Sequence, residues 1–348
     1  MKQSIDLLNR LNLAYSGPVY FGTPLQLSAN DSSDFIYDTG SGYLTTTSSD
    51  CHSCPSQYYD PPTSNSARVS SSRTKKLDYG SANLVGYMGT DFVCLDQNSE
   101  MCVKDFEFFV ITNASGLNGN DGILGLSPPN ESQNGPSYIK ALYKQGTIEQ
   151  EIATFWLNSY GQADSYVTLG GVPANSTRGI TYVQDLVSRY DQWWTVSMHR
   201  VEYGGVDIKD SGIGYAILDT GTSLLYLGQE DYYNFIDQIL SDEPTGQIDC
   251  TSTIYCYSDT LSCDELAPVL SPLKIQLSEN YYTLPAAAYM FPRGNVFQKK
   301  CTIGISYTDS NGGVFILGDT FLRNFVTSFD YDNSEIRLAI NVNAPEGI

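Results

Sequence analysis

Histidine and basic residues are scarce in this chain of 348 residues. It has two histidines, and its 19 lysines and arginines face 39 aspartates and glutamates, which gives a formal net charge of -20. Binding to nucleic acid is not expected, because the phosphate backbone attracts clustered positive charge. The one short basic run, Arg-Thr-Lys-Lys at residues 73–76, is interpreted as a solvated loop.

The shortage of histidine also limits the chemistry of the chain. His52 lies between Cys51 and Cys54, but a zinc site there would lack further ligands. His199 lies in an apparent strand, and no Gly-x-Ser-x-Gly elbow offers an activated serine for a catalytic triad. A Gly-x-x-x-x-Gly-Lys loop for phosphate is absent as well. We therefore expect neither a metal nor a cofactor.

Long apolar runs are also missing, so no membrane span is expected. Residues 1–12 lack the pattern of a signal peptide, and we expect a mature or trimmed form. The eight cysteines are an even number in a histidine-poor chain, which favours disulfides and an oxidising compartment. Four Asn-x-Ser/Thr acceptors for glycosylation agree with the secretory pathway: Asn30, Asn113, Asn130 and Asn175.

Turn-forming and strand-forming residues are plentiful by contrast. The chain has 30 glycines, 15 prolines and 26 tyrosines, which favours strands joined by turns. It is too long for one ordinary core, so two lobes are expected. Helical periodicity is found at residues 137–145 and 229–240, and residues 284–288 are predicted to form one turn. We predict a mostly β fold with a few short helices, and residues 13–136 show no convincing helical period.

An internal repeat divides the chain into similar halves. The sequence Phe-Ile-Tyr-Asp-Thr-Gly-Ser at residues 35–41 returns as Ala-Ile-Leu-Asp-Thr-Gly-Thr at residues 216–222. Each copy is followed later by a segment that contains Ile-Leu-Gly, at residues 122–126 and 315–318. These ordered features suggest the duplication of one lobe. A pseudo-twofold axis would then bring the two Asp-Thr-Gly loops face to face.

Two carboxyl groups that face each other would form an acid/base pair. Asp38 and Asp219 cannot comfortably both be ionised at contact distance, so they would share one proton. The ionised carboxylate could accept a proton from water while the protonated one donates to a carbonyl oxygen, and activity would require acid pH. The residues expected to support the pair, by close approach or by hydrogen bonds, are Thr39, Gly40, Ser41, Thr220, Gly221 and Thr222.

These motifs resemble those of the pepsin-like aspartic endopeptidases, which include the pepsin, cathepsin D and renin types. The resemblance implies a bilobal β fold of two pseudo-twofold-related lobes, residues 1–178 and 179–348, with a substrate cleft between them. It also implies an enzyme that binds polypeptide in extended form and hydrolyses it at acid pH. The segments that carry the resemblance span nearly the whole chain: residues 15–24, 38–41, 79–89, 121–126, 219–223 and 315–330.

The resemblance also implies further site residues and partners. A β-hairpin flap would close over the substrate, and the flap and substrate-binding residues would be Tyr79, Gly80, Ser81 and Ile123. Members of the family are made as zymogens, so the expected partners are the chain's own propeptide and pepstatin-like inhibitors. The chain is expected to be a monomer that is secreted or held in an acidic, lysosome-like or vacuole-like compartment.

Four disulfides follow from the same resemblance, two at positions that the family bridges and two local ones. The pairs are Cys51–Cys54, Cys263–Cys301, Cys94–Cys102 and Cys250–Cys256. The chain departs from the family at two positions in the cleft. Thr45 stands where a tryptophan usually bonds the flap tyrosine, and Asn120 stands where many relatives have an aromatic side chain.

Two other functions remain open. A non-catalytic binding protein could use the same scaffold, because a fold does not fix a function. Inactive relatives typically lose an active-site aspartate or its glycine, and this chain keeps both. A two-carboxylate glycosidase generally places its acid and its nucleophile in different environments, whereas these loops are near copies. Trp193 and Trp194 could stack on a sugar, although we favour packing in the core or at the lobe edge.

Overall fold

The structure is a computed structural model that describes residues 2–26, 33–80, 82–98, 100–117, 119–187, 190–251, 255–292, 300–308 and 313–348. For residues 70–72 and 131 it describes the backbone alone. Asn30 and Ser81, both named above, lie outside the described residues.

The first half of the chain consists mainly of strands joined by turns. Its strands are β1 (Gln3–Asn9), β2 (Tyr15–Gly17), β3 (Tyr20–Phe21), β4 (Phe35–Asp38), β5 (Leu44–Thr47), β6 (Arg68–Asp78), β7 (Asn83–Cys94), β8 (Cys102–Ser115), β9 (Gly122–Gly125), β10 (Ile152–Trp156) and β11 (Ser165–Leu169). Its helices are short: a 3-10 turn at Pro61–Thr63, α1 (Glu131–Asn134) and α2 (Tyr138–Lys144).

The second half repeats this character. Its strands are β12 (Thr177–Asp185), β13 (Thr195–Tyr203), β14 (Val206–Asp207), β15 (Tyr215–Leu218), β16 (Leu225–Leu227), β17 (Tyr255–Ser258), β18 (Leu273–Leu277), β19 (Asn280–Leu284), β20 (Met290–Pro292), β21 (Cys301–Tyr307), β22 (Phe315–Leu317), β23 (Phe325–Asp330) and β24 (Glu335–Asn341). Its helices are α3 (Gln229–Asp242), α4 (Cys263–Leu266), α5 (Ala286–Tyr289) and α6 (Asp319–Leu322).

The mostly β fold is confirmed, and so are the helices at α2 and α3 and the single turn at α5. Helix α2 begins as predicted, because the Ser137 hydroxyl accepts the backbone N–H of Lys140. One short helix, α1, lies within residues 13–136, where the sequence shows no helical period. Its four residues end at Gly135, which has a φ of 69°, and they are too few to show a helical period.

The interpretation of the basic run at residues 73–76 as a loop is wrong. The run lies in β6, which pairs antiparallel with β7 to form a long hairpin. The sequence of the run did not indicate a strand, because it lacks an alternation of apolar and polar residues. Its Lys75 is half-buried and its Lys76 is exposed.

The described strands form two sheets. The first has the order β12-β24-β23-β10-β11-β1-β2-β4-β9-β5-β8-β7-β3, with β6 on β7, and so joins strands from both halves of the chain. The second has the order β17-β21-β16-β22-β15-β13-β18-β19, with β14 on β13 and β20 on β21. The predicted lobe boundary after residue 178 falls inside β12 and stays a prediction.

The two copies of the sequence repeat have the same pattern of strand pairing. Strand β4 lies parallel to β9 and, in the same way, β15 lies parallel to β22. Strands β5 and β16 then pair antiparallel with the opposite sides of β9 and β22. Each strand that leads into an Asp-Thr-Gly loop is therefore held beside its own Ile-Leu-Gly strand.

Aromatic side chains and disulfides complete the core. Phe21, Phe35 and Phe108 are fully buried and pack together in the first half. Trp194 is also fully buried, and its indole N–H donates to the carbonyl of Leu126 at 2.8 Å, so it packs in the core. All eight cysteines form disulfides, with the pairings expected above: Cys51–Cys54, Cys94–Cys102, Cys250–Cys256 and Cys263–Cys301.

Candidate active site

The two Asp-Thr-Gly loops face each other and are joined by reciprocal hydrogen bonds. The Thr39 hydroxyl donates to the carbonyl of Leu218 at 3.0 Å and accepts the backbone N–H of Thr220 at 3.0 Å. The Thr220 hydroxyl donates to the carbonyl of Tyr37 at 2.6 Å and accepts the backbone N–H of Thr39 at 3.1 Å. Both threonines are buried, so these four bonds fix one loop against the other.

Glycine is required at the contact between the loops. A Cβ atom added to Gly40 would lie 2.5 Å from the carboxyl carbon of Asp219. A Cβ atom added to Gly221 would lie 2.3 Å from a carboxyl oxygen of Asp38. Each carboxyl group therefore packs against the backbone of the opposite loop, at a distance that no other residue allows.

Each carboxyl group also receives two hydrogen bonds from its own loop. The backbone N–H of Gly40 donates to Asp38 Oδ1 at 2.8 Å, and the Ser41 hydroxyl donates to Asp38 Oδ2. In the second loop, Gly221 N–H donates to Asp219 Oδ1 at 2.8 Å, and the Thr222 hydroxyl donates to Asp219 Oδ2 at 2.7 Å. The predicted supporting residues are thus all placed around the pair.

The proximity of the two carboxyl groups changes the acidity of Asp38. Burial raises the pKa of Asp38 well above its usual range, and the charge of Asp219 and a hydrogen bond with it raise that pKa further. The hydrogen bonds from Ser41 and Gly40 act in the opposite direction. Asp38 is therefore able to keep its proton under conditions in which an exposed carboxyl group would lose it.

The β6–β7 hairpin corresponds to the expected flap, and the charge of Asp38 reaches Tyr79 in its turn. Tyr79 lies in its turn and is half-buried at the edge of an apolar cluster. Burial, and then the charge of Asp38, raise the pKa of the Tyr79 hydroxyl. Gly80 is exposed at the tip, with open space around it. Ile123 lies below the hairpin in an apolar cluster that includes Leu84.

Thr45 makes no hydrogen bond with the described residues of the flap. It is fully buried in β5, and its hydroxyl accepts the backbone N–H of Ile123 at 3.1 Å. The hydrogen bond that a tryptophan would make with the flap tyrosine therefore has no counterpart at this position. A different contact joins the flap to the body of the protein: the Lys75 ammonium donates to the Tyr43 hydroxyl at 2.6 Å.

Sequence reasoning missed Lys75 and Tyr43, and it gave no role to Asp319. Asp319 is buried, and its two carboxyl oxygens have no hydrogen-bond partner among the described residues. Burial and then the charge of Asp219 raise its pKa well above the usual range, whereas Arg323 lowers it. The Ile-Leu-Gly-Asp segment was recognised, but the neighbours of its aspartate depend on long-range packing.

A small apolar cavity of about 260 Å³ opens beside the second loop, at Ser223. Its lining includes Leu11, Leu13, Tyr226 and Phe291. Within the part of the chain that the structure describes, no group of three acidic, histidine or cysteine residues could hold a metal ion. None of the described helices is both long and apolar enough to cross a membrane.

The likeness to known proteins extends through both halves of the chain. A sequence model of the family described as eukaryotic aspartyl protease matches residues 14–341. Pepsin A of Gallus gallus is 30% identical over 349 residues, which cover 96% of this chain and 86% of that protein. Pregnancy-associated glycoprotein of Equus caballus is 31% identical over 350 residues, covering 96% and 83%. Plasmepsin IV of Plasmodium falciparum is 27% identical over 350 residues, covering 98% and 72%.

Proposed function

The chain belongs to the eukaryotic aspartyl protease family and is an aspartic-type endopeptidase, and on this premise we propose that Asp38 and Asp219 are its catalytic pair. One observation carries the proposal: each carboxyl group lies against the glycine of the opposite loop and is held by matching hydrogen bonds. Such rigid placement holds catalytic groups ready for reaction. Family membership sets aside the glycosidase.

In the proposed mechanism the pair carries one proton. The ionised carboxylate takes a proton from a water molecule, whose oxygen attacks the carbonyl carbon of the peptide bond. The protonated carboxyl group donates its proton to the carbonyl oxygen, and a tetrahedral diol forms. The carboxyl group that took the proton from water then passes it to the amide nitrogen, and the C–N bond breaks. A hydroxyl of the diol returns its proton to the other carboxylate as the carbonyl re-forms, so the pair again holds one proton. No covalent bond joins the enzyme to the substrate at any step.

We propose that the substrate is a polypeptide in extended form, bound in the cleft below the flap. Tyr79, Gly80 and Ser81 would contact it from above and Ile123 would contribute apolar surface. Extended peptides are bound largely through backbone hydrogen bonds, with pockets for alternate side chains. The chain's own propeptide and pepstatin-like inhibitors would occupy the same cleft. We further propose a monomer that works after export, in secreted fluid or in an acidic lysosome-like or vacuole-like compartment.

Hydrolysis of an acid-denatured protein, measured from acid to neutral pH with and without pepstatin, tests the proposal. Cleavage should be confined to acid pH, be blocked by pepstatin, and be lost in both Asp38→Asn and Asp219→Asn. Asp237→Asn is the matched control, since that carboxyl group is exposed on α3, and it should retain full activity. A folded protein that neither cleaves at any pH nor binds pepstatin would instead be a non-catalytic binding protein.

A further inference from the structure

The flap strand β6 presents two adjacent lysines in different environments. Lys75 pairs with Gly86 and Lys76 pairs with Val85 in the β6–β7 hairpin. Successive side chains of a strand point to opposite faces, so the two ammonium groups diverge. Lys75 is half-buried on the face that meets the body of the protein, whereas Lys76 is exposed.

Lys75 contacts Tyr43 in two ways. Its ammonium donates to the Tyr43 hydroxyl at 2.6 Å and lies 4.0 Å from the centroid of the aromatic ring. A hydrogen bond with a charged donor is stronger than a neutral one, and a cation close to an aromatic ring is attracted to it. The contact therefore joins the middle of β6 to a residue outside the hairpin.

Tyr43 is itself held firmly beside the catalytic loop. It lies between the Asp38 loop and β5, and its carbonyl accepts the backbone N–H of Gly125 at 3.2 Å. Its ring packs closely on Gly135, where an added Cβ atom would lie 2.5 Å from a ring carbon. The side chains of Tyr43 and Tyr79 border the same apolar cluster below the flap. Tyr43 is thus a fixed point on the body of the protein.

We propose that Lys75 and Tyr43 form a tether that positions the flap over Asp38 and Asp219. They act as positioning residues, because they reach the substrate only through the placement of the flap and its Tyr79. The existence of the tether is independent of catalysis, whereas its effect on the substrate rests on the function proposed above. Thr45 cannot replace the tether, since its hydroxyl is buried against the backbone of Ile123.

Amide hydrogen exchange in the folded protein without substrate tests the tether itself. Lys75→Met should speed exchange at residues 75–86 about tenfold and Tyr43→Phe about fivefold, because each removes one charge-assisted hydrogen bond. The double variant should exchange no faster than Lys75→Met, since both changes break one contact. Lys76→Met is the matched control, with the same loss of charge on the same strand, and should exchange like the wild type.

Peptide hydrolysis by the same variants tests the positioning role. For a peptide long enough to lie below the flap, KM should rise about tenfold in Lys75→Met, with a smaller change in kcat and no shift of the pH profile. Lys75→Arg should restore most of the loss, because a guanidinium can also donate to the hydroxyl and stack on the ring. Lys76→Met should leave both constants unchanged.

The outcomes separate the two claims. If the wild type and all variants had equal amide exchange rates at residues 75–86, the tether would be overturned. If Lys75→Met and Lys76→Met lost activity equally, the effect would come from charge alone and the positioning role would be overturned. Faster exchange with unchanged KM and kcat would overturn the positioning role. A wild-type protein that shows the expected exchange pattern but hydrolyses nothing would contradict the proposed function and leave the tether standing.

Discussion

The two Asp-Thr-Gly loops have nearly the same internal geometry but different surroundings. In both loops the carboxyl group accepts the N–H of its glycine at 2.8 Å and a hydroxyl from the next residue. The first loop lies below the β6–β7 flap, which is inserted between β5 and β8. In the second half, helix α3 follows β16 instead. The repeated part of the sequence thus builds the carboxyl pair, and the unrepeated insertion builds its cover.

Substitution of the two loop glycines is expected to have the largest effect on activity. Gly40→Ala and Gly221→Ala would each drive a methyl group into the opposite carboxyl group. Because misplacement of reacting groups by about 1 Å can cost 100-fold, kcat/KM should fall by at least about 100-fold in each variant. Gly214→Ala, where a Cβ atom meets nothing within 4 Å, is the control and should keep its activity. A loss in only one of the two loop variants would contradict their equivalence.

The threonines test whether the loops also contribute equally to stability. Thr39→Val and Thr220→Val each leave a buried carbonyl and a buried N–H without a partner. Each should lower the free energy of unfolding by about 2 kcal/mol or more, measured by urea denaturation at acid pH. The Thr46 hydroxyl is buried and finds no partner among the described residues, so Thr46→Val should be nearly neutral. Equal effects in all three variants would show that the reciprocal bonds add no stability.

The two halves of the chain differ in the residue that follows each Ile-Leu-Gly strand. Leu126 follows Gly125 in the first half, whereas the buried Asp319 follows Gly318 in the second. Folding raises the pKa of Asp319 and of Asp38, so above the unfolded value of about 4 the folded chain binds more protons than the unfolded one. Stability from these groups is therefore present in acid and is lost as pH rises through their folded pKa values.

The melting temperature should accordingly fall from acid to neutral pH. Asp319→Asn cannot ionise, so its melting temperature should depend less on pH than that of the wild type. Glu243 and Asp249 have lowered pKa values, mainly because of hydrogen bonds with Thr245 and Thr251. Their contribution to stability changes below about pH 4, outside the range in which Asp319 has its effect. Exposed Asp237→Asn serves as the control. An unchanged pH dependence in Asp319→Asn would exclude Asp319 as a source of the effect.

The difference between the repeated loops and the inserted flap also explains what could be predicted from the sequence. The loops were predictable because their motif is local, repeated and embedded in apolar strands. The contact of Lys75 with Tyr43 was not, because it depends on the register of a hairpin whose β6 has no regular alternation. The environment of Asp319 was missed for a related reason, since its neighbours Asp219 and Arg323 are brought together only by the folded second half.

In the proposed mechanism Asp38 and Asp219 work as a pair that holds one proton. The most direct test is the pH dependence of kcat/KM for a peptide substrate, measured from strongly acid to neutral pH. We expect a bell-shaped profile, because activity is lost when both carboxyl groups are protonated and again when both are ionised. A profile that stays level up to neutral pH, or a bell that is unchanged in Asp38→Asn, would contradict the shared-proton mechanism.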